Sequence, residues 1–161
     1  CLVGSEMCIR DSLDKVENGI TTLILDASAA CHMPDVLEMP YTPPLRDGLK
    51  ISDMEDEYGI DKDIEIDFDM DVKEGIWKPA KKGRYRLSSY TCLAGDIIGD
   101  YQFGREINVG DRLVFEDMAI YSMVKNNTFN GIPLPDIVIM DSDGECKVWK
   151  HFGYEDFKGR L

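Results

Sequence analysis

The sequence has far fewer basic than acidic residues, and it has no long apolar run. Its 161 residues include 18 lysines and arginines against 31 aspartates and glutamates, a net charge of −13. This charge repels phosphate backbones, so the sequence predicts no nucleic-acid partner and favours a cationic one. No apolar segment approaches the ~18 residues that span a bilayer, so we expect no membrane partner.

Cysteine and histidine are too sparse and too scattered to predict a metal site. The five cysteines include no Cys-x-x-Cys pair, and their odd number fits a reducing cytoplasm better than a disulfide framework. His32 and His151 lack metal-ligand spacing and are expected to be structural or exposed. The Asp-x-Asp-x-Asp run at 67–71 lacks the glycine and the glutamate that a calcium loop requires further on, so it is interpreted as the acidic face of a strand.

The length fits one domain, and two segments stand apart from it. Residues 1–12 have neither a basic n-region nor a cleavage site, so they are not a signal peptide; they resemble translated sequencing-adaptor sequence. With the missing initiating methionine they indicate a truncated reading frame, so we predict a non-native segment at 1–12 and a β-domain over 13–161. An acidic insertion at about 47–84 includes a stretch, 53–74, with 11 acidic and 2 basic residues.

Alternating and β-branched segments predict a mainly β fold. Short strands are expected over 20–27, 64–72, 84–91, 97–103, 112–116, 136–140 and 145–151, the last two joined by an Asp-Gly turn. Residues 32–44 hold four prolines and are expected to form a structured loop with at most one short helical turn. A short helix is expected from Tyr154 onward. Six or seven strands at this spacing indicate an antiparallel β-barrel or sandwich with few helices.

Two segments carry polar and reactive side chains that a purely structural role does not require. Residues 90–96 (YTCLAGD) run from a strand end into a turn of small residues that presents a thiol, Cys92, and a carboxylate, Asp96. Residues 118–135 (MAIYSMVKNNTFNGIPLP) place Tyr121 eight positions before a Phe-Asn-Gly turn. Both segments are therefore candidates for a functional site.

These segments resemble the C-terminal motifs of the fold-type III decarboxylases, which depend on pyridoxal 5'-phosphate. Residues 92–101 (CLAGDIIGDY), 110–119 (GDRLVFEDMA) and 128–132 (TFNGI) are most similar to the carboxynorspermidine/carboxyspermidine decarboxylase family, as is 25–41 (LDASAACHMPDVLEMPY). The resemblance implies the C-terminal antiparallel β-domain of such an enzyme, without the N-terminal (β/α)8 barrel.

The resemblance implies a catalytic role for Cys92 and a cofactor role for Tyr121. Cys92 matches a thiol that enters the active site of the neighbouring subunit and protonates the carbon from which CO2 has left; the alternative is a small buried hydrophobe. Tyr121 matches a tyrosine that hydrogen-bonds the phosphate of pyridoxal 5'-phosphate or lies against the cofactor; the alternative is a core tyrosine. The cofactor would be bound mainly by the barrel.

Three carboxylates are implied as substrate contacts. Asp35 matches an acidic residue that points at the substrate's distal amine, unless it caps a turn beginning at Val36. Glu38 stands where diaminopimelate decarboxylases have an arginine, and a glutamate there favours an amine over a carboxylate; the alternative is a solvent-facing charge. Asp96 either reaches the substrate from the Cys92 turn or closes that turn through its own side chain.

The implied protein is a homodimer with shared active sites, and its substrate is a cation of the polyamine type. It would convert carboxynorspermidine or carboxyspermidine to norspermidine or spermidine with release of CO2. On this hypothesis the present chain is inactive by itself, because the barrel would hold the cofactor. The alternatives are a diaminopimelate- or ornithine-type decarboxylase, and a non-catalytic relative that binds polyamines or a partner protein.

Overall fold

A computed structural model of the protein describes residues 4–13, 20–39, 42–46, 48–50, 83–119 and 121–161. The strands are β1 Gly4–Leu13, β2 Ile20–Leu25, β3 Gly48–Lys50, β4 Arg84–Ser88, β5 Ile97–Phe103, β6 Arg112–Glu116, β7 Ile137–Met140 and β8 Cys146–Lys150. The helices are α1 Ala29–His32, α2 Pro34–Glu38, α3 Tyr121–Val124 and α4 Tyr154–Lys158, with a 3-10 turn at Phe129–Gly131. No helix in these ranges has the length and apolar content that a bilayer span requires. The strand predicted over 64–72 and most of the acidic insertion lie outside the described residues.

Six of the strands form one sheet in the order β3-β5-β4-β2-β1-β6. β2 and β4 run parallel, with Ile20 opposite Arg84, whereas the other neighbours are antiparallel. The mainly β architecture is confirmed, and β5 and β6 begin and end at the predicted residues. The parallel pair makes the sheet mixed, a feature that strand patterns cannot reveal because strand direction depends on how the chain crosses over between β2 and β4.

The sheet buries one continuous core. Strand alternation turns Tyr85 and Leu87 of β4 inward, at 7% and 0% exposure. Tyr85 packs edge-on against Phe103 with ring centroids 5.7 Å apart, and Tyr101 packs edge-on against Phe115 at 6.2 Å. Aromatic rings prefer this arrangement to face-to-face stacking, so the four rings add specificity to the burial of apolar area.

A bidentate ion pair joins β4 and β5. Arg86 and Asp100 are partners in register, with Nε–Oδ1 and Nη2–Oδ2 distances of 2.7 and 2.8 Å. The hydrogen bonds that Arg86 donates to the Asp100 carboxylate raise the pKa of the guanidinium, which therefore stays charged. The two parallel hydrogen bonds help to fix the register of the strands.

Two short helices follow β2: α1, which the sequence analysis did not predict, and α2, the one short helical turn expected within residues 32–44. α1 begins after Ser28, whose Oγ accepts a hydrogen bond from the backbone N–H of Cys31 at 3.1 Å. α2 begins at Pro34, whose fixed φ suits the first helical position. Among the described residues of 32–44, the expectation of at most one short helical turn is therefore confirmed. Further along the segment, the hydroxyl of Tyr101 donates to the Pro43 carbonyl at 2.8 Å.

β7 and β8 form a separate hairpin around the predicted Asp-Gly turn. Gly144 has a φ of 87°, and the N–H of Asp141 donates to the carbonyl of Glu145 at 2.8 Å. Both faces of the hairpin are largely exposed, including Val148 at 61% and Trp149 at 68%. α4 follows the hairpin, as predicted from Tyr154 onward.

Most of β1 comes from the segment that we interpreted as non-native. It lies between β2 and β6 and pairs with both, and its Ile9 is 2% exposed. Residues 4–13 can therefore complete the sheet, although the sequence analysis left 1–12 out of the fold. The hydrogen bonds between strands come from the backbone and form with almost any side chains, so the pairing of β1 does not reveal the origin of residues 1–12. The non-native origin of 1–12 and the boundaries of the 13–161 domain stay predictions.

Candidate active site

Cys92 lies in the turn between β4 and β5, and its thiol is exposed. The amide Nδ2 of Asn130 donates to Cys92 Sγ at 3.1 Å. Tyr90 and Leu93 of the same turn are 42% and 43% exposed. The turn thus presents a thiol within an open, partly apolar surface, which contradicts the buried-hydrophobe alternative for Cys92.

Asp96 fixes this turn to the start of α1. Its side chain is buried, and its carboxylate accepts hydrogen bonds from Ser28 Oγ at 2.7 Å, from the backbone N–H of Ala30 at 3.1 Å and from Thr91 Oγ1. These are the contacts of the turn-closing alternative, extended to a second element. The expected contact of Asp96 with substrate stays a prediction.

The other end of α1 holds the segment that precedes β7. Asn127 donates its backbone N–H to the carbonyl of Cys31 at 2.9 Å and its side-chain Nδ2 to the carbonyl of Ala30 at 2.7 Å. The Cys31 thiol donates to the carbonyl of Phe129 at 3.5 Å, and burial is the main cause that raises its pKa and keeps it protonated. The last carbonyls of a helix have no hydrogen-bond donor within the helix, and here Asn127 donates to two of them. α1 therefore joins the Cys92 turn to the segment that carries Asn130.

His32 ends α1 as a buried, neutral imidazole. Its Nδ1 accepts from the backbone N–H of Ser28 at 3.3 Å, so Nε2 carries the hydrogen and donates to the carbonyl of Pro133 at 3.0 Å. Burial lowers the pKa of His32, opposed in part by the hydrogen bond to Pro133 and by the charges of Asp96 and Asp26. The structural role expected for His32 is confirmed, and His151 is exposed.

Tyr121 and Glu38 meet through Lys125. Tyr121 begins α3 with its side chain 46% exposed, and Lys125 Nζ lies 5.4 Å from the centre of its ring. The same ammonium group forms a salt bridge with the carboxylate of Glu38 on α2. Exposed ion pairs contribute about 0–1 kcal/mol, so another cation can compete for Glu38. Tyr121 is not the core tyrosine of the alternative interpretation.

Asp35 is buried on α2 with an unsatisfied oxygen. It is 2% exposed, and its Oδ1 has no hydrogen-bond partner among the residues that the structure describes. Met33 is the N-cap of α2 and Asp35 lies within the first turn, so the capping alternative is wrong. A buried carboxylate oxygen is costly without a donor, and a cationic group would provide one.

The structure therefore brings four of the five predicted site residues into two groups of contacts, and Asp35 belongs to neither. Cys92 pairs with Asn130, whereas Glu38 and Tyr121 share Lys125, and the interior carboxylate of Asp96 anchors the turn of the first group. Sequence reasoning missed Ser28, Asn127 and the Asn130 contact. Ser28 has a local signal, a capping residue directly before a short helix. Asn130 belongs to the Phe-Asn-Gly turn, but nothing in the sequence signals its contact with Cys92 or the contacts of Asn127.

Comparison with known proteins identifies close sequence relatives. No family model matches the sequence. The chain is 41% identical over 153 residues to the carboxyaminopropylagmatine decarboxylase of Synechocystis sp., and 36% identical over 152 residues to the carboxynorspermidine/carboxyspermidine decarboxylase of Campylobacter jejuni. The alignments cover 95% and 94% of this chain but 32% and 36% of the relatives. The chain thus spans about a third of the length of these relatives.

Solved structures agree with the sequence relatives. Carboxynorspermidine decarboxylase from C. jejuni, complexed with norspermidine, matches 98% of this chain and 38% of its own, with a TM-score of 0.74 and 30% identity. A diaminopimelate decarboxylase matches 98% of this chain and 33% of its own with a TM-score of 0.66, but at 14% identity it supports the fold alone. The chain has the fold of the C-terminal sheet domain of fold-type III decarboxylases, as predicted.

Proposed function

We propose that this chain, which is homologous over most of its length to carboxy(nor)spermidine decarboxylases, is the part of such an enzyme that delivers a proton from Cys92. The exposed Cys92 thiol, held by Asn130 on a turn that Asp96 anchors, is the observation that carries the proposal. The complete protein would decarboxylate a carboxylated polyamine. The chain spans about a third of its relatives, so this activity requires residues beyond those present here.

The reaction requires a group that accepts the electrons left when CO2 departs. Bound pyridoxal 5'-phosphate supplies such an electron sink. Of the residues in this chain, Tyr121 fits a contact with that cofactor, because its exposed phenol can donate to a phosphate oxygen without adding charge. The neighbouring Lys125 ammonium adds a positive field for the same phosphate.

Cys92 would complete the reaction by proton transfer. The S–H bond breaks, the proton forms a C–H bond at the carbon that CO2 has left, and the electron pair of the S–H bond stays on sulfur until solvent returns a proton. Exposure of the thiol makes this delivery sterically possible, and positioned general acids contribute about 10²–10⁴-fold in rate.

Asp35 and Glu38 would bind the cationic tail of the substrate. The unsatisfied Oδ1 of Asp35 can accept from an ammonium group, and Glu38 already accepts one from Lys125. Asp96 would act mainly by holding the turn, with a direct substrate contact as the second possibility. We further propose a homodimer in which Cys92 serves the site of the partner subunit.

A second substrate is favoured by one observation. The relative at 41% identity is a carboxyaminopropylagmatine decarboxylase, whose name implies a guanidinium rather than an ammonium at the far end of the substrate. Carboxylates bind both cations, so Asp35 and Glu38 are compatible with either. Diaminopimelate and ornithine remain the alternative substrates, and a non-catalytic polyamine-binding protein is the alternative outside the enzymes.

Substrate comparison separates these functions. The complete protein, loaded with pyridoxal 5'-phosphate, is assayed for CO2 release from carboxynorspermidine, carboxyspermidine, carboxyaminopropylagmatine, diaminopimelate and ornithine. We expect one of the three carboxylated polyamines to give a kcat/KM at least about 100-fold above the two amino acids, because the latter leave the buried Asp35 unpaired or repelled. CO2 release from none of the five, together with polyamine binding, would support the non-catalytic alternative.

Replacing the thiol tests the proposed role of Cys92. We expect Cys92→Ala to lower kcat of the complete protein by about 100-fold or more, because it removes a positioned proton donor. Cys146→Ala is the matched control, since Cys146 is also exposed but lies on β8, and it should leave kcat within about twofold. Full activity in Cys92→Ala would refute the proposed function. The present chain alone is expected to release no CO2.

A further inference from the structure

Asn130 adopts a backbone conformation that most residues avoid. Its φ is 59°, and among the described residues only Asp117, at 55°, is another non-glycine residue with a positive φ. Asparagine tolerates this left-handed region better than most side chains, but such conformations persist only where surrounding contacts hold them. The conformation directs the Asn130 amide to within 3.1 Å of Cys92 Sγ.

The contacts that hold Asn130 are independent of Cys92. Asn127 Oδ1 accepts from the N–H of Phe129 at 2.9 Å, and the N–H of Gly131 donates to the carbonyl of Thr128 at 2.9 Å. Asn127 is itself bonded to α1 through its backbone and its side chain. The Cys92 turn is fixed to α1 through the Asp96 carboxylate. The side-chain amide of Asn130 and the sulfur of Cys92 therefore meet between two segments that are both fixed to α1 by other residues.

We infer that Asn130 is a positioning residue for Cys92 in the reaction proposed above. The side-chain Nδ2–H of Asn130 restricts the sulfur to one orientation. The same N–H continues to donate to the sulfur after the proton has passed to the substrate carbon and the sulfur carries a negative charge. A hydrogen bond to a charged acceptor is stronger than one to a neutral acceptor, so the contact gains strength as the proton leaves. This inference depends on the proposed function and adds to it what Asn130 does during the proton transfer.

Two substitutions distinguish the effect of the Asn130 side-chain amide from the effect of its backbone conformation. Asn130→Gly preserves the positive φ, which glycine adopts freely, and removes only the amide. Asn130→Asp keeps the size and shape of the side chain but replaces the donor with a carboxylate. Asn108→Gly is the matched control, since Asn108 lies on an exposed loop and the contact of its backbone N–H with Asp111 survives the change.

Thiol reactivity gives a measurement that needs no turnover. The complete protein is treated with iodoacetamide at fixed pH, and peptide mass spectrometry follows the alkylation of Cys92 relative to the exposed Cys146 in the same sample. We expect the ratio to fall about threefold in Asn130→Gly and about tenfold in Asn130→Asp, because a donor stabilises the reacting thiolate and a carboxylate repels it. Asn108→Gly should leave it unchanged. A ratio that is unchanged or higher in both Asn130 variants would overturn the inference.

Kinetics in two backgrounds separate positioning from a general structural role. We expect Asn130→Gly to lower kcat about tenfold with KM within about twofold, the effect of one charge-assisted hydrogen bond. In a Cys92→Ala background the same change should have no further effect. A further loss there would show that Asn130 acts other than through Cys92 and would overturn the inference while leaving the proposed function intact. Full activity of Cys92→Ala itself would instead remove the proposed function.

Discussion

At the scale of single residues, His32 shows how this site depends on one tautomer. Because the backbone N–H of Ser28 donates to Nδ1, the ring hydrogen is on Nε2, which donates to the Pro133 carbonyl. Burial lowers the pKa of the ring and so disfavours a second proton. A protonated ring would carry a hydrogen on both nitrogens. Nε2 could still donate to the Pro133 carbonyl, but Nδ1 would face the backbone N–H of Ser28, a donor against a donor. The neutral ring thus joins the start of α1 to the chain that leads into β7.

His32 should make stability depend on pH. Its pKa is lowered in the folded state from about 6.5 in the unfolded chain, so the unfolded chain binds a proton that the folded chain resists. The contribution of His32 is present above about pH 6.5 and is lost as the pH falls from there toward the folded pKa. We expect the free energy of unfolding, measured in urea, to fall more steeply from pH 7 to pH 5 in the parent than in His32→Gln.

His151→Gln is the control for this measurement. His151 is exposed, and its hydrogen bond is the first cause that lowers the pKa of Asp136, a carboxyl whose usual pKa of 3.8 is already below the tested window. Because the contacts of His32 survive this change, the fall in stability from pH 7 to pH 5 should stay steeper in His151→Gln than in His32→Gln. Equal slopes in the parent and in His32→Gln would contradict the assignment of a buried neutral imidazole.

At the scale of secondary structure, a four-residue helix organises the site. The N-terminus of α1 is tied to the Cys92 turn through Asp96, and its carbonyls are tied to Asn127. A helix of this length has almost no stability of its own, so its position depends on these tertiary hydrogen bonds. The bonds in turn determine where Cys92 and Asn130 meet.

Weakening this anchor should loosen the Cys92 turn. Asp96→Asn keeps the volume but replaces one acceptor oxygen with a donor, so at least one of the three donors from Ser28, Ala30 and Thr91 is left without a partner. We expect a loss of about 1–3 kcal/mol in the free energy of unfolding and a changed alkylation rate at Cys92. Asp143→Asn, in the exposed hairpin turn, should change stability by less than about 0.5 kcal/mol. Equal stabilities for the two variants would contradict the anchoring role.

At the scale of the whole molecule, the chain presents its reactive groups outward. Cys92, Tyr121 and the apolar residues of the β7–β8 hairpin are all exposed, and the chain spans about a third of its relatives. A two-stranded hairpin is marginally stable in isolation, and its exposed apolar side chains indicate a surface that packs against further protein. This arrangement supports the proposal that the catalytic site is completed by other polypeptide, including a second subunit.

Mixing two inactive variants tests whether the active sites are shared. If Cys92 and Tyr121 serve each site from opposite subunits, Cys92→Ala and Tyr121→Ala form mixed dimers in which one of two sites is intact. Equal amounts, after subunit exchange, should recover about a quarter of parental activity. Mixing Cys92→Ala with the double variant should recover none, because no dimer then contains the thiol. If the first mixture also shows no gain, both residues act in one subunit or the protein is not a dimer.

The sequence by itself determined the features that depend on neighbours along the chain. Short strand-forming runs next to glycines defined β5 and β6 to the residue, and the Asp-Gly turn defined the hairpin, because strand propensity and turn conformation are set within a few residues. The motifs around Cys92 and Tyr121 led to the correct fold and to relatives with related chemistry. The helix α1 was not predicted, because four residues show no periodicity and a helix of that length depends on tertiary hydrogen bonds.

Only the tertiary structure decided which groups meet. Asn130 bonds a sulfur 38 positions away, Asp96 bonds Ser28 across 68 positions, and Asn127 bonds Ala30 across 97. No period or local propensity encodes such contacts, because they depend on the parallel crossover between β2 and β4 and on the path of the chain after β6. Burial likewise separated Asp35 and Asp96, which lie inside, from Glu38, which lies at the surface, since solvent access is a property of the assembled layers.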